Sequence, residues 1–192
     1  MIRLKYGNTN TFYIRGESCG LLIDTDYAGT LPAFYRALKA AGLGLRDIGY
    51  ILATHYHPDH MGLVSELMKQ GARLLLADVQ KGSVHFSDRI FARDHLPAEP
   101  IREEEAVLIS CAESRDFLAG LGISGEIIST PSHSPDSISL ILDVGDAFVG
   151  DLEPLDYLPA YEENAALKRD WEQVLAHHPR RIFYAHANEK VL

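Results

Sequence analysis

Thr54-His55-Tyr56-His57-Pro58-Asp59-His60 places three imidazoles and a carboxylate within six positions, directly after the apolar run Tyr50-Ile51-Leu52-Ala53. An apolar run ahead of a cluster of metal-binding groups reads as a buried strand that ends at a site. In an extended segment residues two apart point the same way, so His55 and His57 offer their rings to one ion. Pro58 has no N–H and biases the residues before it away from helix, which ends the extended stretch. Past that turn, Asp59 and His60 open a helix and face a second ion. Nitrogen and carboxylate ligands without a thiolate suit zinc, and iron or manganese as well. Nine histidines in 192 residues make a close pair unremarkable; three histidines and an aspartate at this spacing and at a strand end are the specific signal.

Other chemistry-bearing residues follow apolar runs in the same way. Leu21-Leu22-Ile23 ends in Asp24, which also reads as a turn or cap aspartate before Thr25-Asp26. His133 lies between two prolines and four hydroxyl residues in Thr130 to Ser137, a loop histidine with a fixed backbone. Ala147-Phe148-Val149 leads through Gly150 to Asp151, and Arg181 to Ala185 leads to His186. Each half of the chain thus delivers ligands at strand ends, as a site between two packed sheets would need.

The elements that must position these groups are legible from periodicity. Strands are expected at 2–6, 11–15, 20–24, 49–53, 73–77, 126–129, 138–142, 147–149 and 181–185. Helices are expected at 31–41, 59–70, 114–121 and 164–177. The alternation of strand and helix marks an α/β layer. Residues 78–105 carry little periodicity and much charge, including Glu103-Glu104-Glu105, and read as a functional excursion or lid within one domain spanning 1–192. There His85 and His95 read as surface histidines, and Phe86, Phe91 and Leu96 as candidate walls of a substrate cleft. His177 and His178 read as last-turn residues that complement a helix dipole.

Composition bounds the partners. A formal charge of -9 without a Lys/Arg cluster opposes nucleic-acid binding, and no apolar run approaches the roughly 20 residues of a membrane helix. Met1-Ile2-Arg3-Leu4-Lys5-Tyr6 alternates as a strand does and lacks the apolar stretch of a secretory signal, so a cytoplasmic protein is expected. Cys19 and Cys111 lie far apart and outside every ligand motif, which argues against a disulfide framework. The expected partner is a small-molecule substrate, and a homodimer is left open.

Taken in order, Asp24, the His55-x-His57-x-Asp59-His60 cluster, His133, Asp151 after Gly150 and His186 resemble the five motifs of the metallo-β-lactamase superfamily over nearly the whole chain. The resemblance implies an αβ/βα four-layer sandwich, two mixed sheets face to face with helices outside and metals along one edge. It assigns His55, His57 and His133 to one metal and Asp59, His60 and His186 to a second, with Asp151 bridging and Asp24 orienting ligands by hydrogen bonds. Two divalent ions so held, zinc by preference, would share a hydroxide aimed at a polarised carbonyl or phosphoryl centre, with Asp59 carrying its proton to the leaving group. Two regions depart from the pattern: Met61-Gly62 is followed by Leu63, and the loop histidine has Ser132 and Asp136 where glycines are common. Asp136 then reads either as a substrate contact or as a turn aspartate.

Within the resemblance, Asp151 in place of a cysteine argues against antibiotic hydrolysis, and only Ala187 to Leu192 follow His186, where glyoxalase II-like thioesterases carry further helices. Lactonases of the superfamily use a tyrosine over the metals; Tyr157 and Tyr161 are the candidates, with packing as their alternative role. The reading is a hydrolase of small esters, thioesters or lactones, with phosphoesters behind them. Its rivals are a mononuclear iron sulfur oxygenase using His55, His133 and Asp151, and a non-catalytic metal-binding relative.

Overall fold

The computed structural model describes residues 1–161 and 163–192, and of Tyr161 the backbone alone. Among the described residues the first half forms a six-stranded sheet in sequential order: β1 (Ile2–Leu4), β2 (Thr11–Ile14), β3 (Gly20–Ile23), β4 (Ile48–Leu52), β5 (Arg73–Ala77) and β6 (Val107–Ile109). The first pairs are antiparallel, and from β3 to β6 the strands run parallel. Parallel neighbours need crossovers, and these are α1 (Leu31–Ala40), then α2 (Pro58–Met61) with α3 (Val64–Lys69), then a segment containing α4 (Asp88–Arg93). α5 (Ser114–Gly120) leads to the second sheet, made of β7 (Gly125–Ser129), β8 (Ile138–Leu142), β9 (Asp146–Phe148), β10 (Arg181–Phe183) and β11 (Lys190–Val191). Its order is β11-β10-β9-β8-β7. α6 (Ala165–Ala176) is the crossover between the parallel strands β9 and β10.

Alternation along the strands builds the layers. Leu21 and Ile23 of β3, Tyr50 and Leu52 of β4, Leu140 and Leu142 of β8, and Phe148 and Phe183 enter the core between the sheets. Their neighbours Leu22, Ile51, Leu74 and Leu76 face outward beneath Phe34 and Leu38 of α1 and Val64 and Leu67 of α3. Ile141, Ala147 and Ile182 face the other way, beneath Leu167, Trp171 and Val174 of α6. The result is the αβ/βα sandwich.

Three local features differ from expectation. The helix expected over 59–70 is two helices: the Leu63 N–H turns to the Thr25 hydroxyl and the His60 carbonyl accepts the Thr25 N–H, which interrupts the helical ladder where Gly62 passes so close to the backbone of Asp26, Tyr27 and Ala28 that a Cβ would collide with it. β6 and β11 are too short to show a period and exist because each finds an edge to pair with, Leu75 to Ala77 for β6 and Arg181-Ile182 for β11. Residues 78–105 are more packed than a lid would be: Val84, Phe91 and Ile101 are buried in the outer core, and Leu96 packs against it. Phe91 is therefore a core residue, and Leu96 a half-buried one packed against that core.

Gly62→Ala places a methyl against backbone that cannot rotate away. A loss of about 1–3 kcal/mol in unfolding free energy is expected, read as a lowered urea midpoint at unchanged m-value.

Candidate metal centre

Strand register sets the first part of the site. β3 and β4 are parallel with Ile23 opposite Leu52, so Asp24 and the Thr54-His55 segment leave the sheet side by side. In the second sheet Phe148 is opposite Phe183, and Asp151 and His186 each lie three residues beyond that pair. His57 keeps an extended backbone as the residue before α2, Pro58 opens the helix, and Asp59 and His60 fall in its first turn. That turn swings them away from His57, as the Pro58 argument requires.

All seven predicted ligands meet at one edge of the sandwich. Single ligand atoms from each member lie within 4.8 Å of one another in three overlapping groups: His55, His57 and His133; His55, His60 and Asp151; and Asp59, His60 and His186. His57 Nδ1 is 3.2 Å from His133 Nε2, and His60 Nε2 is 3.3 Å from His186 Nε2. Asp151 lies between the groups, with Oδ2 3.3 Å from His60 Nε2, 3.7 Å from His133 Nε2 and 3.9 Å from His55 Nε2, and Oδ1 3.4 Å from His186 Nε2. His186 Nε2 is 3.1 Å from Asp59 Oδ2. His55 and His60 are buried, whereas His133 and His186 stand at the mouth.

Behind the ligands, Asp24 takes a left-handed backbone (φ 55°) that its short polar side chain tolerates. Its carboxylate accepts the Thr54 N–H at 2.7 Å and the Thr54 hydroxyl at 2.9 Å, and lies 3.1 Å from His60 Nδ1. Gly150, also left-handed at φ 57°, passes over Thr54; a Cβ there would sit 2.8 Å from that of Thr54. The site thus depends on Thr54 and Gly150 as well as on the residues that carry ligands.

Other supports are not among the predicted ligands. Asp136 is buried and accepts the Tyr56 N–H and the Ser134 hydroxyl, each at 2.8 Å, so it ties the His133 loop to the His55–His57 segment. Asp136 is therefore a loop tether, the turn-aspartate role. Gln80, fully buried, donates to the carbonyls of Ala53 and Asp136. Asp170 of α6 accepts the Ser132 N–H at 2.7 Å, and the Thr9 hydroxyl donates to the Asp59 carbonyl at 2.7 Å. Asp136 lies in the loop-histidine motif and reads there as a substrate contact or turn aspartate; Asp170 falls on the buried face of α6, while Gln80 and Thr9 lie in segments without a period and carry no signal.

Of the proposed cleft walls, Phe86 is 58% exposed with its ring centroid 5.3 Å from that of His57, which puts it on the rim. Tyr157 is exposed and lines a cavity beside Asp151 and His186. The reading of the Tyr161 side chain lies outside the described residues. His85 is exposed and paired with Asp88, while His177 follows the last turn of α6.

The family model for the metallo-beta-lactamase superfamily matches residues 4–186, nearly the whole chain. The chain belongs to the metallo-beta-lactamase superfamily. Among curated relatives it is 28% identical over 186 residues to the beta-lactamase-like protein 2 homolog of Drosophila melanogaster, an alignment over 94% of this chain and 59% of that protein. It is 30% identical over 137 residues to putative diflavin flavoprotein A 2 of Synechocystis, over 70% of this chain and 21% of that one. The chain therefore spans less than two thirds of either. Of solved structures, the metallo-beta-lactamase family protein TTHA1429 of Thermus thermophilus superposes with a TM-score of 0.70 at 21% identity, covering 95% of this chain and 70% of that one. TTHA1623 in a di-iron-bound form superposes with a TM-score of 0.71 at 19% identity, covering 100% and 94%.

The donor set of this superfamily member fits divalent metal. Tetrahedral ligation at about 2.0–2.1 Å sets donor atoms about 3.3 Å apart, and His57–His133, His60–His186 and His60–Asp151 all lie close to that spacing. His55 Nε2 and Asp151 Oδ1 are buried without a hydrogen-bond partner, an arrangement that is costly unless an ion satisfies both. Burial, with His60 beside it, holds His55 far below the ordinary imidazole pKa, leaving a neutral ring with a free lone pair. Burial pulls His60 the same way, but Asp24 and Asp151 outweigh it and push its pKa up to about 10. The Asp59 hydrogen bond raises His186. For Asp59 and Asp151 burial acts upward and is overcome by His186 and His60 respectively, so both carboxyls are held below their usual range.

With a folded pKa above 7, His60 is protonated in the metal-free protein at neutral pH, and a ligand must surrender that proton. Zinc uptake at pH 7 is therefore expected to release about one proton per chain from His60, and affinity to rise with pH toward 10. Calorimetric titration in buffers of different ionisation heat measures the release. Asp24→Asn keeps the left-handed backbone and removes the counter-charge, so the release is expected to fall.

Proposed function

We propose that the chain is a dinuclear metal-dependent hydrolase, with zinc as the preferred metal, acting on a small ester, thioester or lactone and less readily on a phosphoester. The observation that carries this reading is the pair of donor groups, His55-His57-His133 and Asp59-His60-His186, with the Asp151 carboxylate between them. When bound, two divalent ions at such a site supply Lewis acidity toward a carbonyl and a water acidic enough to be a nucleophile at neutral pH.

The chain's own residues supply the rest. His60 Nδ1–H is held by Asp24, so its Nε2 faces the cleft. Asp59, one fifth exposed and with its backbone fixed by Thr9, presents Oδ2 at the mouth, where it orients the attacking water and passes its proton to the leaving atom. Phe86 and Tyr157 border the opening and favour a substrate with apolar groups beside the reacting bond. The absence of a basic cluster from the sequence supports a small molecule over nucleic acid.

His57→Ala is expected to lose the metal of the first group. Asp59→Asn is expected to keep most of the metal and lose about 100- to 10,000-fold in turnover; full activity in either variant would overturn the two-metal mechanism.

A second reading has its own observation. His55, His133 and Asp151 form a two-histidine, one-carboxylate face, the arrangement of mononuclear iron oxygenases, and one structural neighbour is described in a di-iron-bound form. Elemental analysis of protein purified without added metal and shielded from oxygen separates the two. About two zinc per chain and turnover of an ester, thioester and lactone panel are expected; about one iron per chain, with oxygen uptake on persulfides or thiols, would replace the hydrolase by a sulfur oxygenase.

A further inference from the structure

Asp59 and His186 reach the second donor group from opposite halves of the chain, Asp59 on α2 and His186 beyond β10. One short segment bonds to both: the turn Gly7-Asn8-Thr9-Asn10 between β1 and β2. The Thr9 hydroxyl donates to the Asp59 carbonyl at 2.7 Å, and His186 Nδ1 lies 3.3 Å from the Asn8 carbonyl, which leaves Nε2 toward Asp59 and His60. Asn10 holds the backbone on either side of His186. Its side-chain amide donates to the carbonyls of Tyr184 and Ala187, each at 3.0 Å, and its main-chain N–H to that of Ala185 at 2.8 Å. The Asp59 carbonyl is open to Thr9 because the Leu63 N–H, its partner in an unbroken helix, turns to the Thr25 hydroxyl. The turn is itself fixed. Buried Asp26 accepts the Thr9 N–H at 3.0 Å and the Tyr27 N–H at 2.7 Å, and its carboxylate fills the space that a side chain at Gly7 would need. Among the described residues no hydrogen bond runs from this turn to His55, His57 or His133, and His60, the remaining member of the second group, is held from β3 by Asp24.

We propose that this turn is the positioning element of the second donor group, with Thr9 setting Asp59 and Asn10 setting His186, so that it governs how tightly a second divalent ion is held and leaves the first group, His55, His57 and His133, untouched. This role rests on the two-metal reading. The physical reason is where the ligands stand. The side chains of His186 and Asp59 are 38% and 21% exposed at the mouth, whereas His55 and His60 are packed in at 1% and 0%. A side chain at the mouth has few packing contacts, and the freedom it keeps must be given up when an ion binds. Hydrogen bonds from a fixed turn remove that freedom beforehand. Groups that orient ligands in this way are worth about 10- to 100-fold in metal affinity, and here the whole effect falls on one ion of the two.

Titration with cadmium-113 followed by NMR, in which each bound ion gives its own resonance, separates the two groups without recourse to turnover. The wild type is expected to give two resonances. Thr9→Val, which keeps the shape of a buried threonine and loses its hydroxyl, and Asn10→Ala are each expected to fill the first at wild-type affinity and to need about 10- to 100-fold more cadmium for the second. Thr9→Ser, which keeps the hydroxyl, is expected to hold both ions as the wild type does. Urea midpoints of the metal-free proteins check the fold, and the Thr9 pair decides if Asn10→Ala fails to fold. Wild-type affinities at both resonances in Thr9→Val, an equal weakening of the two, or Thr9→Ser behaving as Thr9→Val overturns the proposal while the two-metal reading stands. A single resonance from the wild type overturns that reading and the proposal with it.

Discussion

The structure hangs on one buried carboxylate. Asp24 is removed from water at the end of β3, where an unpaired charge would cost several kcal/mol. Three donors offset that cost: the N–H and hydroxyl of Thr54 and the Nδ1–H of His60. The same bonds serve structure and chemistry together. They hold the ends of β3 and β4 in step, fix the tautomer of His60 so that Nε2 points into the cleft, and press Thr54 into the place that only a glycine at 150 leaves free. Loss of the Asp24 carboxyl group would leave His60 without its anchor and Thr54 without its acceptor, so orientation at the second donor group and packing under Asp151 would relax at once.

The two sheets contribute ligands independently, and the site exists because they are locked in one register. The Thr54 carbonyl accepts the Ile138 N–H at 2.9 Å, the Asn10 N–H reaches the Ala185 carbonyl at 2.8 Å, and the Asn10 side chain donates to the carbonyls of Tyr184 and Ala187. Asp136 adds the bond from the His133 loop to Tyr56. Between these polar ties lies a dry aromatic contact in which Phe12 meets Phe148 and Phe183 edge to face, and the latter two stack on each other. Hydrogen bonds at the rim and close packing in the middle leave the ligand-bearing segments little freedom to shift, which is what a preformed site requires.

Ligands and walls have different origins. The ligands come from strand ends and the first turn of α2, positions set by the fold itself, and this is how one fold supports many chemistries. The walls come from the turns around Phe86 and from Leu152 to Tyr157, the latter running into a 3-10 helix and held by Trp171 and Tyr184. In a chain of net charge -9, carboxylates placed among histidines gather the candidate metal-binding groups at one edge.

What the sequence determined by itself was the set of candidate ligands that the fold gathers at one edge, and the strand–helix pattern. His55, His57, Asp59 and His60 are close in the chain, so strand alternation and a proline turn suffice to aim them; Asp24, His133, Asp151 and His186 were visible because each follows an apolar run or sits in a proline-framed loop. Strand and helix spans with a clear period were legible for the same reason, since local burial dictates them. What only the tertiary structure decided depends on contacts between residues far apart. The break beside Gly62 is set by the bonds of Thr25 to His60 and Leu63, the pairing of β6 and β11 by the edges they find, and the packing of Phe91 and Leu96 by the layer beneath them. Gln80, Asp136 and Asp170 work through hydrogen bonds across 27 to 80 positions of sequence, and a bond of that kind leaves no periodicity behind.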